Sequence, residues 1–254
     1  MTHPKFFIET TYKHLPKPTM IETIHWHTLH PRYLGPDSKV LDLGANYGHF
    51  AKAITERLGC HCVAVEPSPD SFTGMVSAPR ISKLQLAVAA KSGNFPFHVA
   101  AQTVSSSLLG KSATHLQTIE VPALSFADLL EKLEWTHVDL LKVDIEGTEI
   151  EMFAACPDDV LRRVAQISVE FHDFCGITPP QEVRKTLSRL HTLGFFSVRM
   201  SRIGHQDTWL VNRRLIDIST AELLVIRHVT RNWNGLTRVL KRVSSRARPS
   251  MPAA

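Results

Sequence analysis

The chain is poor in cysteine, with four in 254 residues. Cys60 and Cys62 have one residue between them, too close for the usual zinc pair, and Cys156 and Cys175 stand alone. Such spacing offers neither a disulfide framework nor a zinc site, so all four thiols are expected to be reduced and structural. No apolar run approaches the ~20 residues that cross a bilayer. Residues 1–18 lack the charged, apolar and cleavage regions of a secretory signal. A cytoplasmic protein is expected. Internal repeats are missing as well, which excludes a repeat architecture.

Acidic residues are absent from one stretch. Between Arg227 and Ala254 stand seven basic residues and no acidic one. The rest of the chain then holds 22 basic against 24 acidic residues, a net of −2, although the whole chain carries +5. By charge the body is not a nucleic-acid-binding surface, and only the tail is strongly basic. An apolar content of 43% is ordinary for a globular chain. This length buries one large core, so one domain with appendages is expected.

What is present is organised around VLDLGANYGHF, Val40 to Phe50. Val40, Leu41 and Leu43 read as a buried strand, and Gly44, Asn46 and Gly48 as a tight turn. Phe50, Ala53, Ile54 and Leu58 then fall on one helical face. Strand, glycine turn and helix open a doubly wound nucleotide-binding sheet. Asn46 stands where a dinucleotide fingerprint has its middle glycine, and its side chain fills space a pyrophosphate would need. The turn also contains no Lys or Arg. A nucleoside without phosphates suits it better, and S-adenosyl-L-methionine, with its cationic sulfonium, fits. Asp42, just ahead of the turn, suits a positively charged ligand. Glu66 ends the strand His61–Glu66, where an acid accepts hydrogen bonds from ribose hydroxyls.

Taken in order, the chain predicts irregular structure over residues 1–18, then a first helix from Thr19 to near Pro31. That helix would pack over the nucleotide site. It carries His25, His27 and His30, with no Cys, Asp or Glu at ligand spacing, so no metal is expected. A short helix over Asp70 to Val76 follows, capped by Ser68. Leu84 to Ala89 reads as a third strand, and Gly93 to Ala100 with Thr118 to Ala123 as a strand pair. A helix from Phe126 to Leu133 is capped by Ser125. The fourth strand, Val138 to Val143, ends in Asp144, Glu146 and Glu149, at the edge where open α/β sheets bind ligands. The fifth, Gln166 to Phe171, leads to His172, a candidate general base. A helix from Pro179 and Pro180 runs to Gly194. Phe195 to Met200 and Thr208 to Val211 close the chain as an antiparallel pair.

With these stretches placed, the chain resembles the FkbM-type methyltransferases. The likeness rests on DLGANYG (Asp42 to Gly48), VAVEPSP (Val63 to Pro69), KVDIEGTE (Lys142 to Glu149) and SVEFH (Ser168 to His172). It implies the class I, Rossmann-like α/β fold: a seven-stranded, mostly parallel sheet with helices on both faces and an antiparallel last strand. It implies S-adenosyl-L-methionine as cofactor and O-methylation of a sugar, glycolipid or polyketide-type hydroxyl. Cofactor binding is then expected at Asp42, Gly44, Asn46, Gly48, Glu66 and Asp144. Asp144 is the preferred base, with Glu146 and His172 as alternates. A divalent cation on Asp144, Glu146 and Glu170 is the other way to activate a hydroxyl. Two rival readings share the fold: an NAD-dependent dehydrogenase, against which Asn46 counts, and a nucleotide-sensing domain without turnover.

The expected organisation is an N-terminal cap over 1–36, the methyltransferase domain over 37–218 and a basic amphipathic tail over 219–254. Such a tail reads as a membrane-surface element. The alternative is a helix packed on the body with a solvated basic face. The acceptor and the oligomeric state are not legible in the sequence.

Overall fold

A computed structural model describes residues 20–100 and 115–230. The chain opens on a hairpin of β1 (Glu22–Ile24) and β2 (His27–Leu29). There follow β3 (Lys39–Leu43), α1 (His49–Leu58), β4 (His61–Val65), α2 (Pro69–Gly74) and β5 (Ile81–Leu84). Next come β6 (Ala87–Ala89), β7 (Gly93–Ala100), β8 (His115–Ser125), α3 (Phe126–Lys132), β9 (Val138–Val143), α4 (Glu149–Ala155) and α5 (Asp158–Leu161). The chain continues through β10 (Val164–Val169), α6 (Pro180–Thr192), β11 (Phe195–Arg199), β12 (Thr208–Asn212) and α7 (Thr220–Val225).

Seven strands form the main sheet in the order β11-β12-β10-β9-β3-β4-β5. Neighbours from β10 to β5 run parallel, and β12 is antiparallel to both β10 and β11. This is the doubly wound sheet with an antiparallel strand that the sequence predicts. Its parallel strands are buried on both faces, which is why they read as near-continuous apolar runs. Leu41, Leu43, Leu141 and Val143 pack on one face with α3, α4 and α6 residues such as Phe126, Phe153 and Leu190. Val40, Ala64 and Leu140 pack on the other with Phe50 and Ile54 of α1. Strand order reverses between β3 and β9, so the site lies at their carboxyl ends.

Several expectations are met closely. β9 spans the stretch predicted for the fourth strand, and Ser125 accepts a hydrogen bond from Asp128 N as the cap of α3. Others are corrected. The helix expected from Thr19 to Pro31 is a β-hairpin joined by His25 and Trp26, whose φ values are +44° and +71°. A two-residue hairpin turn needs positive φ at both positions to match strand twist. Here the hairpin is held by tertiary partners instead of by Asn-Gly chemistry. Thr28 donates from N and Oγ1 to Asp207 at 3.1 and 2.7 Å, and His30 N donates to Gln166 Oε1 at 2.9 Å.

The single strand expected over Leu84 to Ala89 divides into β5 of the main sheet and β6, which pairs with β8 in a separate three-stranded sheet. Ser68 stands at the α2 cap position without a capping hydrogen bond from its side chain. Cys60, Cys62 and Cys156 are buried free thiols, raised by burial, whereas Cys175 is exposed. At the C-terminus, Leu223 and Ile226 are buried against Trp209 and Val211, so this part of the expected tail packs on the body. The segment 1–19, the connection at 101–114 and the basic stretch 231–254 lie outside the described residues. No helix among the described residues is long and apolar enough to cross a membrane.

Candidate active site

The glycine turn is pressed against the end of β9. Gly44 has φ +72°, and a Cβ there would overlap the carbonyl oxygen of Asp144. The missing side chain therefore serves first to let two strand ends touch. Asn46 adopts φ +50°, as its residue type tolerates. Its N–H donates to Glu66 Oε2 at 2.8 Å, while Ser68 N donates to Oε1 at 2.9 Å. Glu66 thus braces the turn from within, and burial raises its pKa. Gly48, also at positive φ, is the residue from which α1 departs.

Beneath the turn lies a buried charge pair. Asp42 and Lys142 are register partners on β3 and β9, and their side chains point to the same face. Lys142 Nζ stands 3.0 Å from Asp42 Oδ1 and 3.6 Å from Asp144 Oδ2. It donates to Gly44 O at 2.6 Å and Leu43 O at 3.3 Å. Burial lowers the Lys142 pKa, but Asp42 and Asp144 outweigh it and the net shift is upward. Asp42 is fully buried and is not among the residues lining the cleft. The cationic group it faces is Lys142.

At the tips of β9 and β10 the structure brings together the three residues expected to be catalytic. Asp144 lies between two buried imidazoles, His27 Nε2 3.7 Å from Oδ2 and His172 Nε2 3.8 Å from Oδ1. His172 Nε2 is 3.3 Å from Glu146 Oε2, and its Nδ1 is 3.0 Å from Oε1 of the fully buried Glu149. Glu149 Oε1 also accepts from the N–H groups of Ile145 and Gly147. That grip helps hold Glu146 at φ +54°, a conformation that costs a non-glycine residue about 1–3 kcal/mol.

The charges are unequal. Burial raises Asp144, but Lys142, His27 and His172 outweigh it and hold the carboxyl well below the usual range. Burial lowers His172, yet Glu146 and Glu149 outweigh it and push the ring up to about 11. A base role for His172 needs a neutral ring, and these carboxylates keep it protonated at neutral pH. Glu146 is raised by burial. Glu170, at the end of β10, is raised to about 8 by burial and by Asp144. Donor atoms of His27, Asp144 and Glu170 all lie within 4.8 Å of one another, as do those of Asp144, Glu146 and His172.

An open cleft beside these groups is lined by Gly44, Asn46, Glu66, Asp144, Glu146 and Thr148. Its other wall is apolar: Val65, Leu86, Val88 and Phe97. A carboxylate at one strand tip, an apolar wall and a side-chain-free turn suit a nucleoside. The small sheet supplies Phe97 from β7 and Val88 from β6. Sequence reading missed this wall, because a lone apolar strand residue carries no sign of what it faces. It also missed His27, whose run of histidines it placed on a helix.

With this geometry in hand, comparison with known proteins is decisive at one point. The methyltransferase FkbM domain matches residues 42–195. The chain belongs to the FkbM methyltransferase family. Its cofactor is S-adenosyl-L-methionine. This FkbM methyltransferase is also similar to the hexuronic acid methyltransferase AglP of Haloferax volcanii, at 25% identity over 190 residues, 71% of this chain and 72% of the relative. Among solved structures it is similar to Aeropyrum pernix fibrillarin with natively bound S-adenosyl-L-methionine (13% identity, TM-score 0.41, 70% of this chain and 66% of that one). A second is precorrin-6y C5,15-methyltransferase of Geobacter metallireducens (12%, TM-score 0.39, 70% and 80%). The fold itself is read from the sheet order.

Proposed function

We propose that this FkbM methyltransferase methylates a hydroxyl oxygen of a sugar acceptor, and that hexuronic-acid glycans are the class to try first. The observation that carries the reading is the group of Asp144, Glu146 and His172 at the rim of the cleft. The similarity to a hexuronic acid methyltransferase supports the acceptor class. S-adenosyl-L-methionine bound in the cleft supplies a methyl group on cationic sulfur, whose C–S bond breaks as the acceptor's C–O bond forms.

The chain's residues divide the work. Gly44 and Asn46 shape the floor, Glu66 offers its remaining lone pairs to ribose, and Leu86, Val88 and Phe97 cover the base. Asp144, held ionised, places negative charge near the sulfonium. An alcohol must also lose its proton. Asp144 is too acidic to be a strong acceptor, so we assign that task to Glu146, the cleft-lining carboxylate whose pKa is raised. Protonated His172 orients Glu146. Holding oxygen and methyl in line can supply roughly 7–11 kcal/mol of the barrier in favourable cases.

The test is transfer of labelled methyl to hexuronic-acid and neutral-hexose oligosaccharides. Label that enters the saccharide and survives mild alkali marks an ether and supports the reading. Label released by alkali marks an ester of the uronate carboxyl and overturns the hydroxyl assignment. Glu146→Gln should lower kcat while leaving S-adenosylhomocysteine affinity within a few-fold.

A further inference from the structure

We propose that His27, Asp144 and Glu170 form a binding site for a divalent first-row transition ion beside the methyl-transfer cleft. The role given to the ion rests on the methyl-transfer reading, whereas its binding does not.

Three donors arrive from three separate elements: β2 and the ends of β9 and β10. Their donor atoms all lie within 4.8 Å of one another. Ligands of one ion at roughly 2.1 Å stand about 3 Å apart when adjacent and about 4.2 Å when opposite. His27 adds a buried nitrogen donor to the two carboxylates, its side chain 3% exposed. The nitrogen that faces the acids is Nε2, 3.7 Å from Asp144 Oδ2, a separation within the span of two ligands of one ion and longer than a good hydrogen bond. Lys142 Nζ stands 3.6 Å from the same oxygen, so an ion there would share Asp144 with the ammonium.

The imidazole's position is no accident of packing. The hairpin that carries it is clamped by Asp207 on Thr28 and by Gln166 on His30, and Phe50 meets the ring edge-on with centroids 5.7 Å apart. The second group of donors, on the other oxygen of Asp144, is already closed by His172 with Glu146 and Glu149. One imidazole nitrogen with two carboxylates suits manganese, iron or zinc better than magnesium or calcium, and three protein ligands leave positions open. An acceptor hydroxyl taking such a position would lose its proton more readily. The O–H bond breaks toward Glu146, and the oxygen left on the ion is the one that receives the methyl group. Asp144 then acts as a ligand.

The test is Mn²⁺ titration of the chelator-treated full-length protein, following loss of the free-ion signal in electron paramagnetic resonance. One equivalent should bind per chain. His27→Ala and Glu170→Gln should each weaken it by about tenfold or more, the scale seen when even outer partners of metal sites are removed. S-adenosylhomocysteine binding, measured on the same samples, reports whether the variants are folded. Absent Mn²⁺ binding by the wild-type chain, or binding undiminished in both folded variants, overturns the site. Should the variants fail to fold, pulsed spectroscopy of the wild-type Mn²⁺ complex decides. Nitrogen coupling from an imidazole supports the site, and its absence overturns it. Failure of the wild-type chain to bind S-adenosylhomocysteine would count against methyl transfer, independently of the ion.

Discussion

Replacing Lys142 with methionine removes the charge that holds the glycine turn from beneath. The ammonium is buried, 3.0 Å from Asp42 Oδ1, and bonded to Gly44 O at 2.6 Å. Methionine keeps most of the volume but leaves fully buried Asp42 without its counter-charge. Breaking a buried pair from one side costs about 3–5 kcal/mol. At about 2–4 °C per kcal/mol for a chain of this size, the midpoint of thermal unfolding should fall by roughly 6–20 °C. Adding Asp42→Asn removes the stranded charge. The double variant should then be more stable than Lys142→Met alone, although it lacks one further native group. Urea unfolding gives the free energies, and calorimetry with S-adenosylhomocysteine follows the turn. Binding should stay weakened in both variants, because the carbonyl of Gly44 has lost its donor in both. A double variant whose loss equals or exceeds the sum of the two single losses would refute the charge coupling.

Other outcomes follow from the same geometry. Gly44→Ala should abolish S-adenosylhomocysteine binding, since its Cβ would overlap the carbonyl of Asp144; calorimetry showing near-normal affinity would refute the close packing of turn and strand. His172 is raised from 6.5 to about 11, so its contribution to stability is complete below pH 6.5 and is lost as pH rises toward 11. Glu170, raised from 4.5 to about 8, acts in the same direction over its own lower window. Thermal midpoints of the wild-type chain should therefore fall with rising pH, and Glu170→Gln should remove the part between 4.5 and 8. Asp207→Asn weakens two hydrogen bonds to Thr28 and should cost about 1.5–3 kcal/mol by urea unfolding, with faster proteolysis in the hairpin.

Legibility in the sequence followed locality. The strand and turn at Val40–Gly48, the acid at Glu66 and the acids after β9 were readable, because each is a short pattern whose neighbours in sequence are its neighbours in space. Asp144, Glu146 and His172 were placed together by knowing that strand ends share an edge. The Asp42–Lys142 pair was not readable for the opposite reason: Lys142 lies a hundred residues away on the adjoining strand. The β1–β2 hairpin was misread as a helix because His25 and Trp26 carry no turn signature. Asp207 and Gln166, both remote in sequence, supply the order that Gly or Asn would have supplied locally. His27 was lost with the hairpin.

The clamp between Thr28 and Asp207 joins residues 179 positions apart, and this sets an order of events during synthesis. The glycine turn and the acids of the β9 tip have all been made by Glu149. The anchor that brings His27 to Asp144 is made only with β12. At roughly 5–20 residues per second, about 9–36 s separate the emergence of Thr28 from that of its partner. From the emergence of Glu149 until that of Asp207, a nascent chain carries the nucleoside floor of the cleft but not its finished acceptor side. Reactive geometry therefore comes only once β12 has been made, and a product truncated before it should remain chemically silent.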